Sequence, residues 1–322
     1  MNEIINEWAL FFQLAIQIGT PFLFATLGGI LCEKVGHLNL GLEGMMLMGA
    51  SFGFTVAYHT NSPLLAILTA GFAGMVGALI YAFITVTLKG DQTVTGFSIT
   101  IFGTGLANFV GQNLTGLILP PEFTSAMAAV QIPVLKDIPF LGTALFNQSP
   151  YVHMGIILAL ALAFYMIKTR FGLAMRMVGE NPGAADASGI PVDLYKYVHI
   201  LIGGFLTGLG GAYLSLVYVA RWMDNITTGM GWIAVALIIF STWSPVKAIF
   251  GAYLFGVLKG LSIKFQGLQF AFLGMNLSIS SQIMDMLPYV MTILVLVFTT
   301  IRHKHGSQAP AALGKPYFRE ER

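Results

Sequence analysis

Six polar or aromatic residues stand inside long apolar runs: Asn39, Glu43, Asn108, Trp232, Trp243 and Asn276. A carboxylate or amide surrounded by lipid is costly, so such groups face protein or a water-filled path. The chemistry they offer is recognition rather than bond-making. Amides donate and accept hydrogen bonds, and indoles give a flat face on which a ring can stack. That set suits the lining of a path for a small polar solute, and it equally suits the joining of neighbouring helices. Asn39 and Glu43 are four residues apart and share one face of a helix. They read either as a pore-side or gating pair, or as the opening of a helix at Gly41-Leu42. In the second reading Asn39 is the cap and Glu43 complements the positive helix end.

Bond-breaking chemistry finds no support. The sequence has no G-x-x-x-x-G-K-[ST] loop, and its one Gly-Lys pair, Gly314-Lys315, precedes a proline. It has no H-E-x-x-H and no G-x-S-x-G motif. Cys32 is the single cysteine, which leaves no intrachain disulfide or multi-cysteine metal site, and it reads as a small packing residue. The expectation is a chain that is not an enzyme and binds neither metal nor nucleotide in the P-loop manner. Any energy then comes from a partner or an ion gradient.

The elements that must position these residues are membrane helices. Hydrophobic residues are 56% of the chain, charged residues only 9%, and mean hydropathy is +0.78. A soluble domain carries about 25% charged residues. The net charge of +2 gives no sign of a nucleic-acid partner. The start, MNEIINEW, lacks a basic n-region, so the first span is expected to be retained. Uncharged runs predict spans over 8–31, two within 44–88 divided at His59-Thr-Asn-Ser-Pro63, then 95–117, 151–167, 197–219, 226–243, 246–262 and 287–301. The run 265–281, broken by Gly267, Gly274 and Asn276, reads as partly re-entrant or interfacial. Fold class is therefore all-α membrane protein with about nine spans, eight to ten being the range. Residues 1–302 form one transmembrane domain, and 303–322 a polar tail. Basic residues near 168–196 and after 301 place both stretches in the cytoplasm and the N-terminus outside, with 120–150 as an outer connection. Lys264 falls outside, against that rule.

A short repeat supports an inverted arrangement. Ser62-Pro63-Leu64-Leu65-Ala66-Ile67 matches Ser244-Pro245-Val246-Lys247-Ala248-Ile249, and Gly74 and Gly256 follow at the same offset. Glycine-interrupted segments, Gly41–Gly44 and Gly229–Gly231, precede the two copies. Broken helices in inverted halves are a transporter feature. Ser-Pro also opens helices wherever it occurs, which is the competing explanation of the match.

Residues 170–191 are the most polar internal stretch, and they contain the signals of a helix of about two turns. Asn181 is placed to cap it, Pro182 suits its first position, and Ala184, Ala185 and Ala187 favour helix. Gly189 can end it in a left-handed conformation before Pro191. The small residues leave an open face on which another protein could fit, and an ordinary capped surface turn is the plainer reading.

GENPGAADASGI resembles the coupling segment of ABC importer permeases of the ribose, branched-chain amino-acid and nucleoside type. VGHLNLGLEGMMLMGA, GMGWIAVALIIFSTWSPVKAIFGAYLFG and LPYVMTILVLV resemble that family's other signatures, in family order. The stretch CEKVGHLNLGLEGMM looks most like the nucleoside-uptake, basic membrane lipoprotein-linked branch. The resemblance implies a multi-pass permease of the bacterial cell (inner) membrane. Its coupling residues would be Gly179, Glu180, Asn181, Pro182, Ala184, Ala185 and Gly189, seated in a cleft of an ATP-binding cassette subunit. It also implies a second, homologous permease and an extracytoplasmic substrate-binding protein or lipoprotein. No cofactor is expected in this chain, ATP and Mg being bound by the partner. The solute would be a nucleoside, with a sugar or other small solute as the alternative within the class. A gradient-driven transporter or channel is the alternative from another class.

Overall fold

The structure, a computed structural model, describes residues 2–131, 135, 138–265, 269–272, 275–278, 286–301 and 309–319. It is a helical bundle organised around its first helix. α1 (Asn2–Lys34) is followed by α2 (Leu42–Thr60), α3 (Pro63–Ala82) and α4 (Gln92–Gly111). α5 (Pro121–Ala126), α6 (Leu141–Leu145) and a two-residue ladder of β1 (Val130–Gln131) with β2 (Asn147–Gln148) make up the long connection. α7 (Pro150–Lys168), α8 (Arg170–Glu180), α9 (Pro182–Ala187), α10 (Val192–Tyr213), α11 (Met230–Phe240) and α12 (Pro245–Phe265) follow. The hairpin β3 (Gln269–Phe272) and β4 (Met275–Ser278) precedes α13 (Leu287–Ile301).

Among the described residues, six helical stretches are long and apolar enough to cross a membrane: Ile5–Lys34, Pro63–Thr87, Gln92–Gly111, Pro150–Lys168, Val192–Tyr218 and Pro245–Phe265. That is fewer than the nine expected. α2 has the length but carries Glu43 and His59, while α11 and the described part of α13 have 11 and 15 residues. The run 265–281 yields, in its described part, paired strands with Ala271 opposite Asn276. Pairing satisfies backbone groups that a broken helix would leave open. The side chain of Asn276 lies outside the described residues.

α1 and α10 are central. About 89% of the most apolar window of α1 is buried within the protein, against 33% for α4 and α7, which face outward. Membrane helices gain little from hiding apolar surface, so small residues that allow close approach decide the crossings. α3 and α10 meet at Gly74, Gly204 and Gly208, where any added Cβ would strike the opposite backbone. α4 presents Val94, Phe97, Ile101 and Phe109 outward, a surface suited to lipid or another subunit.

The two ends of the bundle differ. At one, Lys34 lies over the Trp243 ring, Lys89 pairs with Asp193, and Lys247 donates to Thr242. At the other, Asn61 in a left-handed turn donates to Glu122, and Ile118 bridges Arg221. Lys264 is also at this second end, its ammonium 4.8 Å from the Trp8 ring centroid. Stacking over an indole compensates a cation at a membrane boundary.

Candidate functional site

Two sets of polar contacts stand out, one inside the bundle and one at its basic end. The inner set begins with the chain between α1 and α2. Residues 35–41 are not regular helix, so their backbone groups need other partners. α3 and α4 supply them: Gln92 accepts from Leu38 N–H (2.7 Å), Tyr81 donates to Leu38 O (2.7 Å), and Thr100 donates to Leu40 O (3.0 Å). Asn39 is buried, and its Oδ1 accepts from Gly41 N–H at 2.9 Å. That is an Asx turn one step before the helix; Gly41 holds the cap position.

Glu43 lies in the first turn of α2, yet its carboxylate serves a different helix. Gly229 N–H donates to Oε1 at 2.9 Å, Gly231 N–H donates to Oε2 at 2.6 Å, and the Thr227 hydroxyl also donates to Oε1. Gly229 and Gly231 open α11. The carboxylate therefore occupies the start of two helices at once. Their combined positive ends, and three donors, compensate its burial. Gly231 is required here, because a Cβ would lie 2.4 Å from Glu43 N. The sequence offered Glu43 as a pore-side group or as complement to its own helix; the structure adds a junction between helices that neither reading contained.

The remaining inner candidates divide. Trp232 follows Gly231 directly and lies against Phe97 of α4, ring centroids 5.3 Å apart. Asn108 is more than a turn beyond Gly103, where α4 touches Gly44, and its buried Oδ1 has no hydrogen-bond partner among the described residues. Trp243 belongs elsewhere. Its indole N–H donates to Glu33 Oε2 at 2.6 Å, tying the end of α11 to the end of α1. Thus Glu43 and Trp232 share one locality, with Asn39 beside it, and Trp243 serves the basic end. Glu33 and Thr227 were not singled out from sequence, since their partners are 210 and 184 residues away.

The second set is residues 170–191. They form two helices, not one. Thr169 caps α8 by accepting from Gly172 N–H (3.0 Å), and Asn181 caps α9 by accepting from Ala184 N–H (3.0 Å). Pro182 is in the first turn, and Gly189 has φ +80°. Gly179 runs against the end of α1, where a Cβ would meet Lys34 O at 2.2 Å. Ala185 departs from expectation. It is fully buried within this chain, so the outward face of α9 is Ala184, Ala187 and Ser188. Burial follows from the helix turning that position onto the bundle: at about 3.6 residues per turn Ala184, Ala187 and Ser188 share one face, and Ala185 is rotated about 100° away from Ala184. Glu180 serves the neighbouring helix. It closes α8, and its Oε2 accepts from Ala311 N–H (3.2 Å), so it is not in the first turn of α9.

Comparison with known proteins supplies the family. Residues 11–296 match the family described as branched-chain amino acid transport system / permease component. A protein of Haloferax volcanii, provisionally named as a glucose ABC transporter permease, is 36% identical, covering 95% of this chain and 96% of the relative. The guanosine ABC transporter permease NupQ of Bacillus subtilis is 32% identical, covering 99% of this chain and all of the relative. The nucleoside ABC transporter permease NupC of Lactococcus lactis subsp. cremoris is 32% identical, covering 91% and 93%. Among solved structures, a provisionally assigned metal-chelate-type ABC transporter in an inward-facing conformation superposes with TM-score 0.51 at 10% identity, covering 89% of this chain and 85% of that one. That likeness concerns the fold alone. With the match across nearly the whole helical bundle, the chain belongs to the branched-chain amino acid transport system permease-component family, as the multi-pass membrane permease subunit of an ABC importer and not an enzyme.

Proposed function

We propose that the imported solute is a nucleoside. The carrying observation is that two relatives named for guanosine and nucleoside transport align along nearly the full chain at 32% identity. A sugar is the second reading, favoured by the 36% identical relative provisionally named for glucose. Both solutes are rich in hydroxyl groups, and a nucleoside adds a base that can stack on an aromatic face such as Trp232.

Family membership brings a separate ATP-hydrolysing subunit and a second permease as working partners. In our reading ATP and Mg are held by the first of these. An extracytoplasmic binding protein or lipoprotein delivers the solute to the end carrying Glu122 and Arg221. The basic end faces the cytoplasm. There α9 docks in the ATPase cleft through Ala184, Ala187 and Ser188. Nucleotide-driven movement of α9 tilts the spans around a path that includes Asn39, Glu43, Asn108 and Trp232. Asn276 stays a candidate for that path by sequence alone.

The deciding experiment is uptake of labelled guanosine by cells carrying the complete transporter, with unlabelled competitors. Excess adenosine or guanosine should suppress uptake, and excess glucose or ribose should not. No uptake of labelled guanosine, together with saturable uptake of labelled glucose, would assign the sugar reading instead.

A further inference from the structure

The tail is the part of the molecule that the transport scheme does not use. Its described portion, residues 309–319, lies folded on the basic end. Pro310 is buried, and Leu313 and Tyr317 pack against the hydrophobic core. Two tight turns shape it: Leu313 N–H donates to Pro310 O (3.0 Å) and Lys315 N–H to Ala312 O (3.1 Å), with Gly314 at φ +77°.

From this folded strap, contacts reach four elements. Gly314 N–H donates to Gly36 O (3.2 Å), just past the end of α1. Ala312 N–H donates to Gly179 O (3.0 Å), and Ala311 N–H to Glu180 Oε2 (3.2 Å), both at the end of α8. Tyr317 donates its hydroxyl to Asp186 Oδ2 (2.9 Å), and Arg319 Nε lies 3.2 Å from the same oxygen, on α9. Lys196 of α10 places its ammonium 5.7 Å from the Tyr317 ring centroid.

α9 has six residues and is too short to fix its own position. Asn181 alone, in extended conformation, connects it to α8, and residues 188–191 connect it to α10. Beyond those links, the buried Ala185 seats α9 on the bundle and Gly179 sets the end of α8 against α1, but the polar ties on the outer side of α9 come from the tail. We propose that residues 309–319 are a clasp that joins α9 and the end of α8 to the end of α1, so that displacement of α9 reaches the centre of the bundle. From there Glu33 and Trp243 pass it to α11. Tyr317 is the principal positioning residue, because its hydroxyl holds α9 while its ring sits under Lys196. The proposal rests on the reading of α9 as the ATPase-coupling element.

The test uses the complete transporter in proteoliposomes, with nucleoside uptake, ATP hydrolysis and co-purification of the ATPase measured together. A chain ending at Gln308 should keep the ATPase and its hydrolysis within about twofold while uptake falls about tenfold, so that more ATP is spent per solute. Tyr317→Ala should give the same signature at about a threefold loss, and Tyr317→Phe a smaller one. A general loss of folding would lower hydrolysis and uptake together and leave their ratio unchanged, which overturns the clasp. Uptake within twofold of wild type in both the shortened chain and Tyr317→Ala overturns it too. Loss of ATPase co-purification would make the tail a docking surface and not a clasp. If the shortened chain does not reach the membrane, Tyr317→Ala decides alone. The coupling reading itself fails by a different result: Ala184→Arg, with the tail intact, retaining the ATPase.

Discussion

Asn181 and Glu43 do the same chemical task at different ranges. Each places an oxygen at the start of a helix, where backbone N–H groups have no intrahelical acceptor. Asn181 accepts from Ala184, three residues along, on an exposed loop. Glu43 accepts from Thr227, Gly229 and Gly231, from 184 to 188 residues along, in a buried position. The local cap settles the shape of a six-residue helix and little else. The remote carboxylate settles where two helices meet, since neither α2 nor α11 can shift along its axis without losing donors. In water such an arrangement would compete with solvation. In a membrane interior there is no water to take over, so a lost acceptor is felt in full.

Breaking the inner member of the pair should have the largest effect. Glu43→Ala leaves two N–H groups and one hydroxyl without an acceptor, at about 1–3 kcal/mol for each buried orphan. The expected outcome is a large loss of uptake together with a lower thermal unfolding midpoint in detergent. Glu43→Gln keeps the shape but turns an NH2 toward an N–H and removes the charge facing two positive helix ends. It should fall between wild type and Glu43→Ala in both measurements. Wild-type uptake and unfolding for Glu43→Ala would show that the junction is incidental.

The same contrast explains what the sequence made legible. Helix N-caps and stops depend on neighbours within four residues, so Asn181, Pro182 and Gly189 could be placed on α9 from composition alone. Ser62-Pro63 and Ser244-Pro245 likewise open α3 and α12. Contacts between distant segments leave no local trace. Nothing near Glu43 points to Gly231, and nothing near Trp243 points to Glu33. The burial of Ala185 depends on which side of α9 faces the bundle, and six residues are too few to show a periodic stripe. α8 is less legible than α9 although Thr169 stands in cap position, because Gly172 and Gly179 lie inside it and weaken its helical signal, whereas Asn181-Pro182 and Gly189 bracket α9. The run 226–243, read as one span, is only partly helical, because α11 begins at Met230 after the irregular run that carries Thr227.

Next in size is a loss confined to the outer member. Ala184→Arg puts a bulky cation on the outward face of α9, and Arg is a good helix former, so the helix survives. Membrane abundance and unfolding midpoint should match wild type, while ATPase co-purification and uptake are lost. Ala185→Arg should behave differently. A charged side chain forced into a fully buried site disrupts the packing of this chain, so abundance and midpoint should fall as well. Equal behaviour of the two variants would mean that the outward and inward sides of α9 have been assigned wrongly.

The smallest expected effect belongs to the cap itself. Asn181→Ala removes the acceptor for Ala184 N–H, a change of about 0.5–2 kcal/mol in helix stability. α9 has tertiary support from Asp186, which accepts from Tyr317 and pairs with Arg319, so fraying should be confined to the first turn. Ala184 sits in that turn and on the proposed docking face, so affinity for the ATPase should drop a few-fold while the unfolding midpoint stays unchanged. Asn181→Asp should restore affinity, because Asp caps as well as Asn and its charge faces the positive helix end. Glu180→Ala removes an exposed acceptor for Ala311 N–H and a charge near Lys34, and should be about as mild. Affinity of the ATPase for each variant, measured at low and high salt, separates the two causes. A cap effect persists in high salt, whereas a charge effect on Asn181→Asp or Glu180→Ala is screened. Should Glu180→Ala prove the more severe of the two, the carboxylate binds a basic group of the ATPase directly, and the outer site is then an ion-pair site in addition to a capped helix.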